Sequence, residues 1–533
     1  MVRRSTCTWT IWCLAVAVWP SYAQIIALAH ARVIDGTGRP ALGDATVLLE
    51  GETIRAVGPA AHLKIPAGSS VVDLAGKFVI PGIINLHAHV GLTKGLIADA
   101  GNHTRANIES DLHTYALYGV TTVASLGHDN ELMISVRDEQ RRGKLSGARV
   151  FTAGTGFSLK GGYPLAIAPF VKGLASEVAD AAEAAAYVDS LAKMRVDLVK
   201  MWVDDNRGRL PKLTPEIWRA AIRQAHRHGL KVAAHLWDLE DARGLARDGI
   251  DIIAHSVRDR EVYADLIAWL KKNNVTAVGT ISRERSLFTY ASGAPWLDDP
   301  FFAKCTTPEV IGELKDGVFR KKQASDPAAL ELNRRAFDMD VRNLKRLADA
   351  GVRIGFGTDS GQPGRFPGFF EHWEMELMVQ AGLTPMQVIQ AASKNAAEHL
   401  GVAKDYGTLE KGKAADPDLA KNKQAFEQAA RNLKKLSDAG VRIGFGTDTG
   451  PPGRFQGFFE HWEMELMVQA GLTPMQVIQS ASKNAAEYLG TLKDYGTLEK
   501  GKYADLVVLD KNPLDDIRNT RTIQAVYIGG VKQ

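Results

Sequence analysis

Between residues 25 and 84 short apolar runs alternate with turn residues. Ala31-Arg-Val-Ile precedes Asp35-Gly-Thr-Gly, and further runs follow at Ala45–Leu49, Thr53–Gly58 and Val71–Leu74. This pattern predicts a small antiparallel β unit. From Pro81 the rhythm changes. Apolar runs at Pro81–Val90, Thr121–Ser125, Arg149–Thr152, Asp197–Val203, Lys231–His235, Ile250–His255 and Val275–Ile281 are separated by helical spacing, as in Ala181–Lys193 and Pro215–His228. With Val352–Asp359 the count reaches eight strand–helix units, so the expected fold is α/β, a (β/α)8 TIM barrel with its chemistry at the strand carboxyl ends. β patterning returns at Ala504–Asp510 and Ile523–Ile528. The terminal strands are therefore expected to rejoin the N-terminal unit, so that 24–80 and 503–533 form one composite β domain beside a barrel at 81–413.

The pattern also repeats itself. Residues 343–413 and 432–502 align without a gap at an offset of 89 and differ at nine of 71 positions, among them Ser360/Thr449, Gln362/Pro451 and His399/Tyr488. Residues 414–502 thus duplicate the last barrel unit, 324–413. A closed eight-stranded barrel has room for one eighth strand, so one copy is surplus. Each carries Gly-Phe-Gly-Thr-Asp, ending in Asp359 or Asp448. A connection from the seventh strand to copy one through a single helix favours Asp359, while direct continuity of copy two with the terminal strands favours Asp448. The balance leans to Asp359, with the displaced copy packed as an appendage or domain-swapped.

Arg3 and Arg4 precede an apolar run from Trp9 to Trp19, followed by Ser21-Tyr22-Ala23. That is the layout of a cleaved export signal over residues 1–23, and the run is short of the about 20 apolar residues a membrane span needs. The protein is expected to be exported, periplasmic or secreted. Without the signal the chain has 63 basic and 61 acidic side chains, a balance that favours neither nucleic acid nor an anionic membrane. Cys7 and Cys13 leave with the signal, so Cys305 is the sole remaining thiol, and both an intrachain disulfide and a cysteine-rich zinc module are excluded.

The candidate chemistry lies in the strand of Pro81–Val90. His87 and His89 are two apart and share a face of a strand. His235 and His255 end later apolar runs, and an aspartate, Asp359 or Asp448, ends another. Singly, each histidine reads as a satisfied core residue; together, four imidazoles and a carboxylate suit Zn2+ or another divalent ion. Lys200 sits inside the apolar run Asp197-Leu-Val-Lys-Met-Trp-Val. It is either a snorkelling lysine at the barrel mouth or a desolvated amine that takes up CO2 to become a carbamate bridging two metals. His128, Tyr163, Trp202 and Arg283 are candidates for the substrate pocket. His226 and His228 read as solvated, Phe369–Leu377 as packing, and the glycines of Gly355–Gly361 are wrongly spaced for a dinucleotide loop.

Ala31-Arg-Val-Ile-Asp-Gly-Thr-Gly, Val79-Ile-Pro-Gly-Ile-Ile-Asn-Leu-His-Ala-His, Gly119-Val-Thr-Thr-Val and Gly407-Thr-Leu-Glu-Lys-Gly-Lys together resemble the metal-dependent amidohydrolase superfamily, in the group of imidazolonepropionase-like enzymes and Xaa-Pro or Xaa-Arg dipeptidases. The resemblance implies a barrel plus a urease-like β sandwich. It implies that His87, His89 and the strand-eight aspartate hold one metal, that His235 and His255 hold a second, and that Lys200 is the carboxylated bridge. Asn85 stands where that superfamily commonly has Asp, and Tyr163 where dipeptidase-like relatives often have His. The expected function is hydrolysis of an amide bond in a small substrate, such as a dipeptide or N-acyl amino acid, by a metal-bound hydroxide, with Asp359 or Asp448 as general base. The alternatives are a mononuclear cyclic-amide hydrolase or deaminase, and a non-catalytic barrel that binds partners. Homo-oligomerisation is left open.

Overall fold

The computed structural model describes residues 25–51, 53–143, 145, 147–413, 417–447 and 458–532. The export-signal reading of 1–23 and Asp448 lie outside the described residues.

The N-terminal unit comprises Ile25–Val33, Leu42–Glu50, Thr53–Pro59, Ser70–Asp73 and Phe78–Val79. Its first three strands are antiparallel, but Ser70–Asp73 and Phe78–Val79 run parallel to Ile25–Val33. The sheet is mixed rather than antiparallel because residues 60–69 form a crossover rather than a tight hairpin. Alternate residues Ala31, Val33, Ala45, Val47 and Ile54 pack on one face.

The rest of the chain to residue 413 is built from parallel strands with covering helices. Ile83–Ala88, Val120–Ser125 and Arg149–Thr152 form one parallel sheet. A seven-stranded parallel sheet runs Ser176–Val178, Phe157–Leu159, Leu198–Val203, Lys231–Leu236, Ile252–Ile253, Thr276–Val278 and Arg353–Gly355. Two of these, Phe157–Leu159 and Ser176–Val178, are absent from the strand count the sequence suggests, being only three residues each. The expected runs Ile250–His255 and Val275–Ile281 shorten to two and three paired residues, so His255 sits on the segment beyond its strand. The two sheets meet through backbone hydrogen bonds. Leu86 N donates to Phe356 O (2.8 Å) and His89 N to Ser360 O (2.8 Å), while Asp197 N donates to Thr152 O (2.9 Å).

Local sequence explains the helices. Ala181–Lys193 begins where the Asp180 carboxylate accepts from Glu183 N, and it buries Ala184, Val188 and Leu191, spaced four and three apart. Between the strands and helices lies one extensive apolar core. A second cluster groups the strand residues Ile84, Leu86, Ala124, Leu198, Ala233, Ile252 and Val278 with Ala396 and Ala397.

Two expectations about connection change. The path from Thr276–Val278 to copy one is not a single helix. It passes through Ile281–Ser292, Phe302–Cys305, Pro308–Lys315, Gly317–Gln323 and Pro327–Asp349, because Gly293, Pro295 and Pro308 break the helical run. Nor do the terminal strands join the N-terminal sheet. Leu506–Leu509, Ile523–Ile528 and Val531–Lys532 make a separate antiparallel sheet. Copy two intervenes, and the end of copy one already takes a position against the N-terminal unit: Leu409 N donates to Asp35 O (2.9 Å), Gly412 N to Ile54 O (2.8 Å) and Ile54 N to Lys413 O (2.7 Å). Among the described residues no helix is long and apolar enough to cross a membrane.

Candidate metal centre and active site

His87 and His89 leave the carboxyl end of Ile83–Ala88, where a register shift between Asn85 and Ala88 interrupts the pairing with the neighbouring strand. Asp359 follows Arg353–Gly355 with φ +57°, a left-handed conformation uncommon for a non-glycine residue. Gly361 fits there because a Cβ would stand 1.9 Å from His89 O. The result is that His89 Nε2 lies 2.7 Å and His87 Nε2 3.4 Å from Asp359 Oδ1. These three buried groups offer ligand atoms all within 4.8 Å of one another, so this His-His-Asp set could hold a metal ion. Asp359 of copy one stands at this centre.

The tautomers suit that role. His87 Nδ1 donates to Ala254 O (2.8 Å), which leaves the Nε2 lone pair facing Asp359. Burial and the Lys200 amine hold His87 well below the usual imidazole range. Burial would raise Asp359, but Arg365, His87 and His89 outweigh it and keep the carboxyl well below its ordinary value.

Lys200 is fully buried in Leu198–Val203, with Nζ 3.4 Å from His87 Nε2. Burial brings its pKa down to about 7 against the opposing pull of Asp359, so a large fraction of the amine is neutral near neutral pH. The snorkelling alternative does not describe this side chain, which has no exposed surface.

His235 and His255 stand next to this set, with ring centroids 4.3 Å apart and His255 4.7 Å from His87. They are not in the tight ligand group. His235 Nε2 donates to Asp204 Oδ2 (2.8 Å), and burial lowers His235 to about 4 while Asp204 opposes. His255 Nδ1 shares a hydrogen bond with Thr280 Oγ1 (2.7 Å), leaving Nε2 inward, and burial together with His235 lowers its pKa.

The candidate pocket residues also gather here. His128 packs 4.5 Å from His89, stacks on Trp202 at 5.1 Å, and its buried Nε2 has no hydrogen-bond partner among the described residues. Tyr163 lies 4.9 Å from His235 and, with Leu92, Val171, Leu174 and Trp202, covers this side of the centre. Arg283 Nε donates to Asp359 Oδ2 (3.2 Å).

Sequence reasoning passed over Asp204, Arg365 and Glu371. Asp204 follows an apolar strand as the histidines do, so the same rule finds it. Arg365, whose guanidinium bonds Asp359 Oδ2, lies in a turn with no periodic signal. Glu371 is masked by its apolar helical neighbours. The residues read as bystanders behave so: His226 and His228 are surface partners of Asp251 and Asp189, and Phe369, Phe370 and Trp373 are core.

A profile of the amidohydrolase family matches residues 78–417 and 417–532. Ochratoxinase of Aspergillus niger is 35% identical over 97 residues, 17% of this chain and 19% of that enzyme. An uncharacterised protein of Mycobacterium tuberculosis is 26% identical over 219 residues, 40% of this chain and 53% of the relative. The matched stretches thus span about a fifth and about half of these relatives' lengths. Among solved structures, a Xaa-Pro dipeptidase with methionine bound in its active site has a TM-score of 0.59 at 19% identity, covering 96% of this chain and 100% of that one. Ochratoxinase of A. niger gives 0.56 at 16% identity, covering 96% of each. At these identities the structural likeness concerns the fold alone.

Proposed function

This chain belongs to the amidohydrolase family, and from that premise we propose that it is a metal-dependent hydrolase cleaving the amide bond of a small substrate such as a dipeptide or an N-acyl amino acid. The observation that carries this reading is the convergence of His87, His89 and Asp359, far apart in the sequence, into one buried nitrogen-plus-carboxylate set. In the same reading the strands of the two parallel sheets, apart from Phe157–Leu159 and Ser176–Val178, are a single (β/α)8 barrel, supported by the hydrogen bonds from Leu86 to Phe356 and from Asp197 to Thr152.

The donor set fits a divalent ion such as zinc: imidazole nitrogens with an ionised carboxylate, His87 being oriented by a backbone carbonyl. His87, His89 and Asp359 would hold one ion, and His235 and His255, with Lys200 carboxylated between the two sets, a second. Such ions lower the pKa of water and polarise carbonyl oxygens. The chain's own part is to position and to move a proton. Asp359 is the proton acceptor, receiving at its carboxylate oxygen the proton of the attacking water and passing it to the departing amine. Arg283 and Arg365, both on Asp359 Oδ2, keep that carboxylate ionised, and on substrate binding their remaining donors suit a carboxylate of the substrate. Tyr163, Trp202 and His128 exclude water from one side of the scissile bond.

One observation favours a single ion instead: His235 Nε2 is already committed to Asp204. Elemental analysis of zinc-reconstituted protein separates the two, with one ion or two per chain. The reading as a whole is tested by incubating reconstituted protein with dipeptides, N-acyl amino acids and cyclic imides. Chelator-sensitive release of an amine from the first two classes supports it, cleavage of imides alone moves it to a cyclic-amide hydrolase, and zinc binding without turnover of any class overturns it in favour of a binding role. The exported location belongs to the same proposal and predicts that the mature chain begins at Gln24 on N-terminal sequencing.

A further inference from the structure

We infer that Glu371 is a positioning residue, a buried carboxylate that sets the spacing between the histidine pair and Asp359. The inference rests on the proposed metal site and adds a residue to it. Glu371 is fully buried and accepts four hydrogen bonds. Its Oε1 accepts from Asn85 Nδ2 (2.6 Å), Thr358 Oγ1 (2.7 Å) and Ser360 Oγ (2.7 Å), and its Oε2 accepts from Gly368 N (2.6 Å). Thr358 and Ser360 flank Asp359. Asn85 is two residues before His87, and its Oδ1 accepts from His87 N (2.8 Å). One carboxylate therefore grips both neighbours of one candidate ligand and the support of another.

This grip matters because Asp359 is held in a left-handed conformation. Such a backbone state is unfavourable for a non-glycine residue and persists only where surroundings determine it. The surroundings here are the Glu371 cradle, the Tyr115 hydroxyl on Ser360 Oγ (2.7 Å), and the donation of Asp359 N to His87 O (2.7 Å). The cradle also gives a physical reason for Asn85. An amide at that position donates to Glu371, whereas a carboxylate would set a second buried negative charge against Oε1. Only Gly368 N belongs to ordinary capping of the helix Phe369–Gln380; the other three donors come from the segments that carry the candidate ligands.

The duplicated unit supplies the control. Glu460 is the corresponding residue, accepts from Thr447 Oγ1 (2.9 Å), and is remote in sequence from any histidine pair. The experiment titrates zinc into metal-free protein against a competing chelator, with melting curves to establish folding. Glu371→Gln is expected to weaken zinc binding about 10- to 100-fold, the range for loss of a supporting partner, and to lower kcat by a similar factor with little change in KM. Glu460→Gln is expected to bind zinc within twofold of wild type. Ser360→Ala, a milder change that removes one donor, is expected to weaken zinc several-fold and decides the matter should Glu371→Gln not fold. Asn85→Asp is expected to weaken zinc, and Asn85→Asp with Glu371→Gln to recover part of that loss, which a generic packing defect would not do. Folded Glu371→Gln or Ser360→Ala that binds zinc as wild type does, or a Glu460→Gln loss as large as that of Glu371→Gln, overturns the inference. Zinc binding that depends on Glu371 in a protein that cleaves no amide would leave the inference standing and remove the proposed function.

Discussion

Residues 343–413 and 432–502 are nearly the same sequence in two settings, and the contrast separates what the segment dictates from what its surroundings dictate. The helices are the same: Phe369–Gln380 matches Phe458–Gln469, and Pro385–Gln390 matches Pro474–Gln479, each of the latter pair with a capping box, Thr384–Gln387 and Thr473–Gln476. The tie from helix to strand segment is also retained, with Asn395 Nδ2 donating to Ile354 O and Asn484 Nδ2 to Ile443 O, each 2.9 Å. Internal packing survives as well, since Met378, Leu383 and Val388 are buried and so are Met467, Leu472 and Val477. The strand does not survive. Arg353–Gly355 pairs with Thr276–Val278, whereas residues 441–447 form no strand. A helix satisfies its backbone within itself, but a strand exists only against a partner. Outward-facing residues tell the same story. Trp373 is 8% exposed and Trp462 41%, and Leu409 packs on the N-terminal unit while Leu498 is 79% exposed.

Five of the nine differences fall where copy one is packed. Ser360, Ala391 and His399 are buried, and Val402 and Ala403 pack against the second apolar cluster. Copy two has Thr449, Ser480, Tyr488, Thr491 and Leu492 there, most of them larger or more polar. Overpacking in a core costs about 1–3 kcal/mol per site, so a tyrosine in place of the buried His399 disfavours copy two there.

Deletion breaks the comparison most severely. Removing residues 343–431, which leaves copy two as the sole donor of a strand, is expected to abolish soluble zinc-binding protein. Removing 414–502 is expected to leave solubility and zinc binding intact. A soluble, zinc-binding product from the first deletion would show the copies to be interchangeable. Next is the pH dependence of Lys200, which belongs to the copy-one centre and has no counterpart in copy two. Its folded pKa of about 7 lies below the ordinary 10.5, so between these values the unfolded chain binds more protons and stability rises with pH. In metal-free protein the melting temperature of wild type relative to Lys200→Met is expected to climb from pH 7 to pH 9; a flat difference contradicts the burial of a neutral amine. Smaller is His399→Tyr, expected to destabilise by about 1–3 kcal/mol because His399 is buried with Nδ1 on Thr276 Oγ1 (2.8 Å). Smallest is Leu409→Asp, expected to cost about 1–2 kcal/mol for the lost apolar contact, against no measurable change for Leu498→Asp.

Much of this was legible in the chain. Val120–Ser125, Leu198–Val203 and Lys231–Leu236 announce themselves by apolar runs bounded by helical spacing, and the strand-end rule picks out His87, His89, His235 and His255 and narrows the aspartate to Asp359 or Asp448. What escaped was set by long-range contact. The paired length of Ile252–Ile253, the parallel return of Ser70–Asp73 and the separate terminal sheet depend on partners that local pattern does not specify. Arg365 and Glu371 escaped for the same reason. Nothing in a polar turn or an apolar helix says which guanidinium or carboxylate will reach a histidine strand about 280 residues away.

The central claim is that His87, His89 and the aspartate of copy one form a divalent-cation site. Zinc affinity of Asp359→Asn beside Asp448→Asn tests it most directly. The account predicts that Asp359→Asn weakens zinc at least about 100-fold while Asp448→Asn matches wild type. Equal losses, a larger loss at Asp448, or no loss at either would contradict it.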